Sequence, residues 1–385
     1  MKKITVASLT LLFLISFFII QNTYASDVKS SEKSDSLKSL DSRFKLLVQQ
    51  AFEELKVPGA IIGVWMGGYE PWTTTFGVAD LKTNQPILMS DKMRIGSITK
   101  TFTGTVLLQL VDEGKLSLSD KLSKFYPDYP NGQNITIEEI GDMTSGIYNY
   151  SEDESFVDGM MKDMTKPYTP QELISISEKH EPYFAPDSGF HYSNTNFILL
   201  GLIIEKLTGN SLQTEIQNRI VNPLGMKETT FEINSTFPDP HAHGYLYMDS
   251  TSAEPTDVSN LNPSWGWAAG AMISTLGDLQ LYAKPLATGQ LLSARTQADR
   301  LKWGKGFTPT SGGWADKPLN YGFAIADFDG AYGHNGGIPG FNSFMAYLPE
   351  KDATIIVLAN MQDNKNGIGP ADYIARVIVE KLKRM

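Results

Sequence analysis

Ser97-Ile98-Thr99-Lys100 places a hydroxyl and an amine three residues apart at the head of an apolar run through Val106, Leu107, Leu108, Leu110 and Val111. At that spacing both side chains share one helix face. A serine hydroxyl is a weak nucleophile until a neighbour takes its proton, and a lysine whose ammonium form is disfavoured by burial can help. A helix start adds free backbone donors and a positive dipole end, which favour the negative charge that develops when a carbonyl is attacked. Spacing alone is a weak signal. Ser26 with Lys29 and Ser30 with Lys33 repeat it in a polar stretch, and a helix cap followed by an exposed lysine explains it equally well.

Two further groups give the pattern company. Tyr192-Ser193-Asn194 stands before a second apolar run, Phe197 to Ile203. A phenol near the lysine can relay protons, and an asparagine amide can hold a substrate amide and the lysine at once because it both donates and accepts. The plain alternative is a packing tyrosine and an Asn cap, as in the turn Tyr129-Pro130-Asn131. His334-Asn335-Gly336-Gly337 is the third group. Its glycines let a substrate backbone lie against a strand, and the N–H of Gly337 can complete an oxyanion hole with that of Ser97. Alone, a glycine-flanked histidine between two strands reads as structural.

Other chemistries find less support. The chain has no cysteine, which excludes a thiol nucleophile, a thiolate zinc site and a disulfide. His241 and His243 lie near Asp239 without a third histidine, so no metal and no cofactor is expected. A Gly-x-Ser-x-Gly elbow is absent. The formal net charge of -10, from 33 basic and 43 acidic residues, argues against nucleic acid as a partner.

The elements that must position these groups follow from periodicity. Residues 39–55 repeat apolar positions at helical spacing up to Pro58-Gly59. Two strands, Ala60 to Met66 and Trp72 to Val78, follow around a Gly67-Gly68 turn. Three more strands are expected at Tyr321 to Phe328, Ser343 to Tyr347 and Thr354 to Ala359, with a closing helix over Ala371 to Leu382. Between them the chain is helix-rich: Ser97 to Glu113, Thr169 to Glu178 behind a capping box, Phe197 to Leu207 capped by Gly209, and Ser211 to Val221. The fold expected is α+β. Both chain ends build one antiparallel sheet, flanked by helices, and the middle forms a helical insert.

Lys2 and Lys3 followed by apolar Ile4 to Ile20 and by Thr23-Tyr24-Ala25 read as a secretory leader cleaved after Ala25. This assigns residues 1–25 to the leader, 26–38 to a flexible Ser/Lys/Asp-rich spacer and 39–385 to one domain. Its sheet part spans about 39–96 and 260–385, and its helical part about 97–259. The expected location is extracellular, with membrane attachment only through an uncleaved leader.

Taken in order, Ser97-x-x-Lys100, Tyr192-x-Asn194 and His334-x-Gly336 resemble the three active-site motifs of the penicillin-recognising serine hydrolases. The branch resembled contains class C β-lactamases, secreted serine D-alanyl-D-alanine carboxypeptidases, and D-stereospecific peptidases and esterases. Met93 to Gly96, Leu107 to Leu116, Thr144-Ser145-Gly146 and Gly333 to Gly340 look like family landmarks too. Class A relatives carry Ser-Asp-Asn and Lys-Thr-Gly where Tyr-Ser-Asn and His-Asn-Gly stand here. The resemblance implies a β-lactamase/transpeptidase-like fold and an acyl-enzyme on Ser97. Lys100 would assist proton removal and Tyr192 would act as general base and then acid. Asn194, His334, Asn335, Gly336 and Gly337 would bind substrate, while Trp265 and Phe156 would form aromatic walls.

The implied substrates are D-amino-acid-containing peptides, cell-wall stem peptides among them, with β-lactams or esters as alternatives. A wall- or penicillin-binding protein without turnover is the non-enzymatic alternative. One departure bears on substrate. Carboxypeptidases of this branch hold a free terminal carboxylate with hydroxyls around the third motif and a nearby arginine, whereas Asn335 and Gly337 replace hydroxyl residues here and Tyr321 to Tyr332 contains no Arg or Lys. A desolvated carboxylate without such partners is costly to hold. Weight therefore shifts toward endopeptidase, aminopeptidase or esterase action.

Overall fold

The computed structural model describes residues 44–249, 251–309 and 313–385. The expected leader, its expected cleavage after Ala25 and the expected spacer 26–38 lie outside the described residues.

Eight strands form the main sheet. They are β1 (Gly59–Met66), β2 (Trp72–Asp80), β3 (Gln85–Pro86), β4 (Asn320–Gly322), β5 (Ile325–Phe328), β6 (Ala331–Ile338), β7 (Phe341–Leu348) and β8 (Ala353–Ala359). Their spatial order is β3-β2-β1-β8-β7-β6-β5-β4, with every neighbouring pair antiparallel. The two chain ends join where β1 pairs with β8, in a register running from Ala60 opposite Ala359 to Met66 opposite Ala353. All residues of β7 and β8 are buried, which explains their nearly continuous apolar sequences: helices cover both faces. Helix α1 (residues 44–55) lies by β2, with Phe44 and Phe52 packed on Trp72 and Phe76 at ring-centroid distances of 5.6 and 5.3 Å.

Helix α2 (Thr99–Asp112) is buried on nearly all sides, packed against α3 (Asn194–Thr208) in the helical part. Such all-round burial is why its sequence is apolar with threonines rather than amphipathic. The expected capping box is present, with Thr169 and Glu172 each bonded to the other's backbone N–H and Pro170 at the first helical position. Gly209 ends α3 at φ 73°, the left-handed conformation glycine adopts without strain. Two helices close the sheet part, α4 (Leu276–Thr288) and α5 (Pro370–Lys383), and both pack on β7 and β8.

Two expectations are corrected. The stretch Tyr321 to Phe328 is two strands, β4 and β5, separated by a turn in which Ala324 has φ 57°. His334-Asn335-Gly336-Gly337 lies within strand β6 and not in a connection between strands. Its glycines hid the strand, since they supply no apolar alternation. Helix α4 was not foreseen.

Candidate active site

The turn that carries Ser97 begins as a 3-10 turn, Gly96–Ile98, that runs into α2. Gly96 has φ 47°, and a Cβ on it would fall 2.9 Å from the carbonyl oxygen of Gly337. A Cβ on Gly336 would come within 2.1 Å of the Ile95 oxygen. Ser343, opposite Gly336 in the β6–β7 register, donates its hydroxyl to that same Ile95 oxygen at 2.8 Å. Glycines thus let strand β6 press against the turn that carries Ser97, so the backbones of Ser97 and Gly337 border one cleft.

Lys100 is fully buried, and its Nζ lies 2.9 Å from Ser97 Oγ, 2.7 Å from Asn194 Oδ1 and 2.9 Å from the Ala269 carbonyl oxygen. Desolvation holds its pKa well below the usual lysine value. Two of the three partners are carbonyl oxygens that can only accept. A neutral amine has two hydrogens to give them, which leaves its lone pair for Ser97 Oγ. The Nζ also sits 4.8 Å from the ring centroid of Tyr192 and 5.5 Å from that of Phe197. Tyr192 has its pKa raised above the ordinary phenol value by burial, with the nearby Ser97 hydroxyl pulling the other way. The phenol therefore rests protonated.

Asn194 is the first residue of α3. Its Oδ1 accepts from Lys100, while Nδ2 donates to Ser151 Oγ at 2.9 Å. The amide is thus a lysine anchor with at most one N–H left over for a substrate.

His334 is 1% exposed, and both of its ring nitrogens are engaged within the protein. Nδ1 faces the Asn335 carbonyl oxygen at 2.6 Å and Nε2 faces the hydroxyl of Tyr321 at 2.9 Å. A carbonyl only accepts, so Nδ1 carries the proton and Nε2 accepts from Tyr321. Burial and the neighbouring Lys100 push the imidazole pKa down to about 3. Tyr321 in turn stands edge-on to Tyr192, with ring centroids 6.1 Å apart and planes at 90°. Sequence reasoning passed over Tyr321, because one tyrosine in a strand carries no motif.

The cleft measures about 620 Å³ and is lined by Ser97, Tyr192, Tyr321, His334, Asn335, Gly337 and Asp372, with Phe190, Phe307, Trp314, Leu319 and Phe328 among its apolar walls. No lysine or arginine is among the described residues that line it. Phe190 and Phe307 stack at 4.6 Å. The expected walls lie elsewhere. Phe156 is 5% exposed and packs edge-on against Tyr150 and Tyr168, and Trp265 is half-buried near Phe156 with its carbonyl accepting from the Tyr150 hydroxyl. Neither lines the cleft.

A family profile described as Beta-lactamase matches residues 44–378. The chain belongs to the β-lactamase family. Within that family it is 29% identical over 337 residues to Protein flp of Staphylococcus aureus (strain MW2), covering 85% of this chain but 64% of that relative. The chain therefore spans less than two thirds of the length of such curated relatives. A D-stereospecific amidohydrolase from Streptomyces sp. is 31% identical, with a TM-score of 0.74, covering 88% of this chain and 97% of its own. D-amino acid amidase from Ochrobactrum anthropi SV3 is 26% identical with a TM-score of 0.75, covering 89% of this chain and 100% of its own. The sheet flanked by helices is thus the β-lactamase-family fold.

Proposed function

We propose that the protein is a secreted serine hydrolase that cleaves the amide bond following a D-residue through an acyl-enzyme on Ser97. The observation that carries this reading is the geometry of Lys100, a fully buried amine whose Nζ lies 2.9 Å from Ser97 Oγ and within hydrogen-bond distance of two carbonyl oxygens. Ser97 gives its proton to Lys100 as its oxygen bonds the substrate carbonyl carbon, and the negative charge forms beside the backbone of Ser97 and Gly337. Tyr192, protonated at rest, gives a proton to the departing amine and is reprotonated by way of Lys100. Water then attacks the ester, the same groups run in reverse, and Ser97 is restored.

The D-configuration and the amide class are supported by the two D-specific amidohydrolases that this chain is similar to. The lack of a lysine or arginine among the described residues lining the cleft favours substrates that end in an amide or continue as a chain over those with a free carboxylate. Cell-wall stem peptides fit that class, and the apolar leader before Ala25 supports an extracellular site of action. The test is hydrolysis of an acyl-D-Ala-D-Ala peptide as free acid and as C-terminal amide, with Ser97→Ala as the blank. Cleavage of the amide at an equal or greater rate is expected. Faster cleavage of the free acid would make it a carboxypeptidase, and binding that survives in Ser97→Ala without turnover in the parent chain would make it a binding protein.

A further inference from the structure

Asp372 lines the same cleft from the first turn of α5, thirty-eight residues after His334 in sequence and 7% exposed. Its two carboxyl oxygens have different fates. Oδ2 accepts from Asn342 Nδ2 at 3.2 Å, and Asn342 in turn caps α5 by accepting from the N–H groups of Ala371 and Asp372 and donates to the Gly336 oxygen at 3.1 Å. Oδ1 makes no well-formed hydrogen bond among the described residues, although the Asn335 side-chain amide is near enough to the carboxyl to favour its charged form. A structural role for the carboxyl is complete with Oδ2 alone, so a buried oxygen without such a bond beside a cleft calls for another explanation.

The groups around it do not neutralise it. Strand β6 contributes the Asn335 amide, which favours the charged form, and the segment before α5 contributes Asp363, which opposes it. On α5 itself, Arg376 is turned to the Gly313 and Ala315 carbonyl oxygens and to Glu380. His334, the other titratable group nearby on β6, is neutral. The end of the cleft that Asp372 adjoins can be assigned. A general acid must face the leaving group; Tyr192 stands beside His334, 6.1 Å between ring centroids, and Asn335 is the next residue on the strand. Asp372 therefore borders the leaving-group side.

We infer that Asp372 is a specificity-determining residue that selects substrates whose leaving portion carries an ammonium and rejects those whose leaving portion carries a carboxylate. This rests on the acyl-enzyme reading of Ser97 and Tyr192 given above. In a cleft with mainly apolar walls, where no lysine or arginine is among the described lining residues and the lining His191 is engaged by Glu152, a carboxylate acts across several ångströms at low effective dielectric, so it attracts an amine and repels another carboxylate without direct contact. Burial raises the Asp372 pKa to about 7, which makes the selection pH-dependent: it is present above that value and fades below it as the carboxyl takes up a proton.

The experiment uses three acetyl-D-alanine amides of equal reach, with ethylenediamine, propylamine and β-alanine as leaving groups, giving a cationic, a neutral and an anionic end. At pH 8 the ratio of kcat/KM for the cationic over the anionic amide is expected to be about tenfold or more, and to shrink by pH 6. In Asp372→Asn the ratio should fall to within about threefold and lose its pH dependence. A ratio near one in the parent chain, or an unchanged ratio in Asp372→Asn, overturns the inference. The pH dependence of the parent chain keeps the test decisive even where the variant fails to fold. Calorimetric binding of the cationic and anionic amides to Ser97→Ala separates the two readings. Hydrolysis without preference sinks this inference and keeps the acyl-enzyme reading, whereas absence of hydrolysis in the parent chain sinks the acyl-enzyme reading and with it the leaving-group assignment, Asp372-dependent preference in binding then leaving Asp372 as a binding determinant only.

Discussion

The hydroxyl of Tyr321 donates to Nε2 of His334 at 2.9 Å, so the histidine of the third motif is one step removed from the Tyr192 phenol. Tyr321 stands between the two, edge-on to Tyr192 at 6.1 Å and edge-on to His334 at 5.6 Å. His334 fixes Tyr321, and Tyr321 forms part of the wall against which Tyr192 is held.

Tyr321→Phe leaves Nε2 of His334 buried without its donor. Loss of that hydrogen bond is expected to cost about 1–3 kcal/mol of stability. Because the phenyl ring keeps the wall intact, kcat/KM should fall by no more than about tenfold. Urea unfolding and amide hydrolysis measured side by side check this; a drop beyond a thousandfold would show that Tyr321 itself handles a proton of the reaction.

His334 remains neutral down to about pH 3 in the folded protein, whereas in the unfolded chain it protonates near its ordinary value of 6.5. The unfolded state thus binds an extra proton between these values. Stability is complete above pH 6.5 and declines as pH falls toward 3, by up to about 1.4 kcal/mol per pH unit from this residue. In His334→Gln the dependence of unfolding free energy on pH between 6 and 4 should lose about one proton's slope. An identical slope in both proteins would place the buried charge penalty elsewhere.

Lys100 has its folded pKa well below the unfolded lysine value of 10.5. Between the two values the unfolded chain holds one more proton, so stability should rise with pH by as much as about 1.4 kcal/mol per unit. Lys100→Met removes that dependence together with turnover. Comparing unfolding at pH 7 and pH 9 tests the first effect. A rate profile in the parent chain whose acidic limb, the rise in rate as the amine loses its proton, lies near 10.5 would contradict the neutral amine on which the mechanism depends; the apparent value belongs to the coupled Lys100 and Tyr192 pair.

Adjacent glycines of β6 should respond in opposite ways to one methyl group. Gly336→Ala forces a Cβ to 2.1 Å from the Ile95 oxygen, whereas a Cβ on Gly337 meets nothing within 4 Å. The first should destabilise by about 2 kcal/mol or more, because backbone rather than a flexible side chain must move. The second should change stability by about 0.5 kcal/mol or less and show its effect as a raised KM, since the methyl projects into the open cleft. Equal thermal shifts in the two variants would rule out the close approach of strand and nucleophile turn.

Ser97, Lys100, Tyr192 and His334 were legible because their signals are local: a hydroxyl and an amine three apart on one helix face, and motifs placed at the entrance of apolar helices or beside glycines. The same locality made the buried central strands and the Thr169 capping box readable, since apolar runs and caps are written within a few residues. What the sequence could not decide is what lies far apart along the chain and touches in space. Lys100 is fully buried because α3 and the Ala269 backbone close over it, and that burial, rather than its position after Ser97, lowers its pKa. Phe156 and Trp265 pack on each other's neighbours instead of walling the cleft, an outcome set by helix packing in the middle of the chain. Tyr321 and Asp372 reach the site only because β4, β6 and α5 meet there. Spacing along a chain fixes which residues share a helix face or a strand edge, whereas desolvation and partnership depend on contacts across it, and the tertiary structure alone makes those.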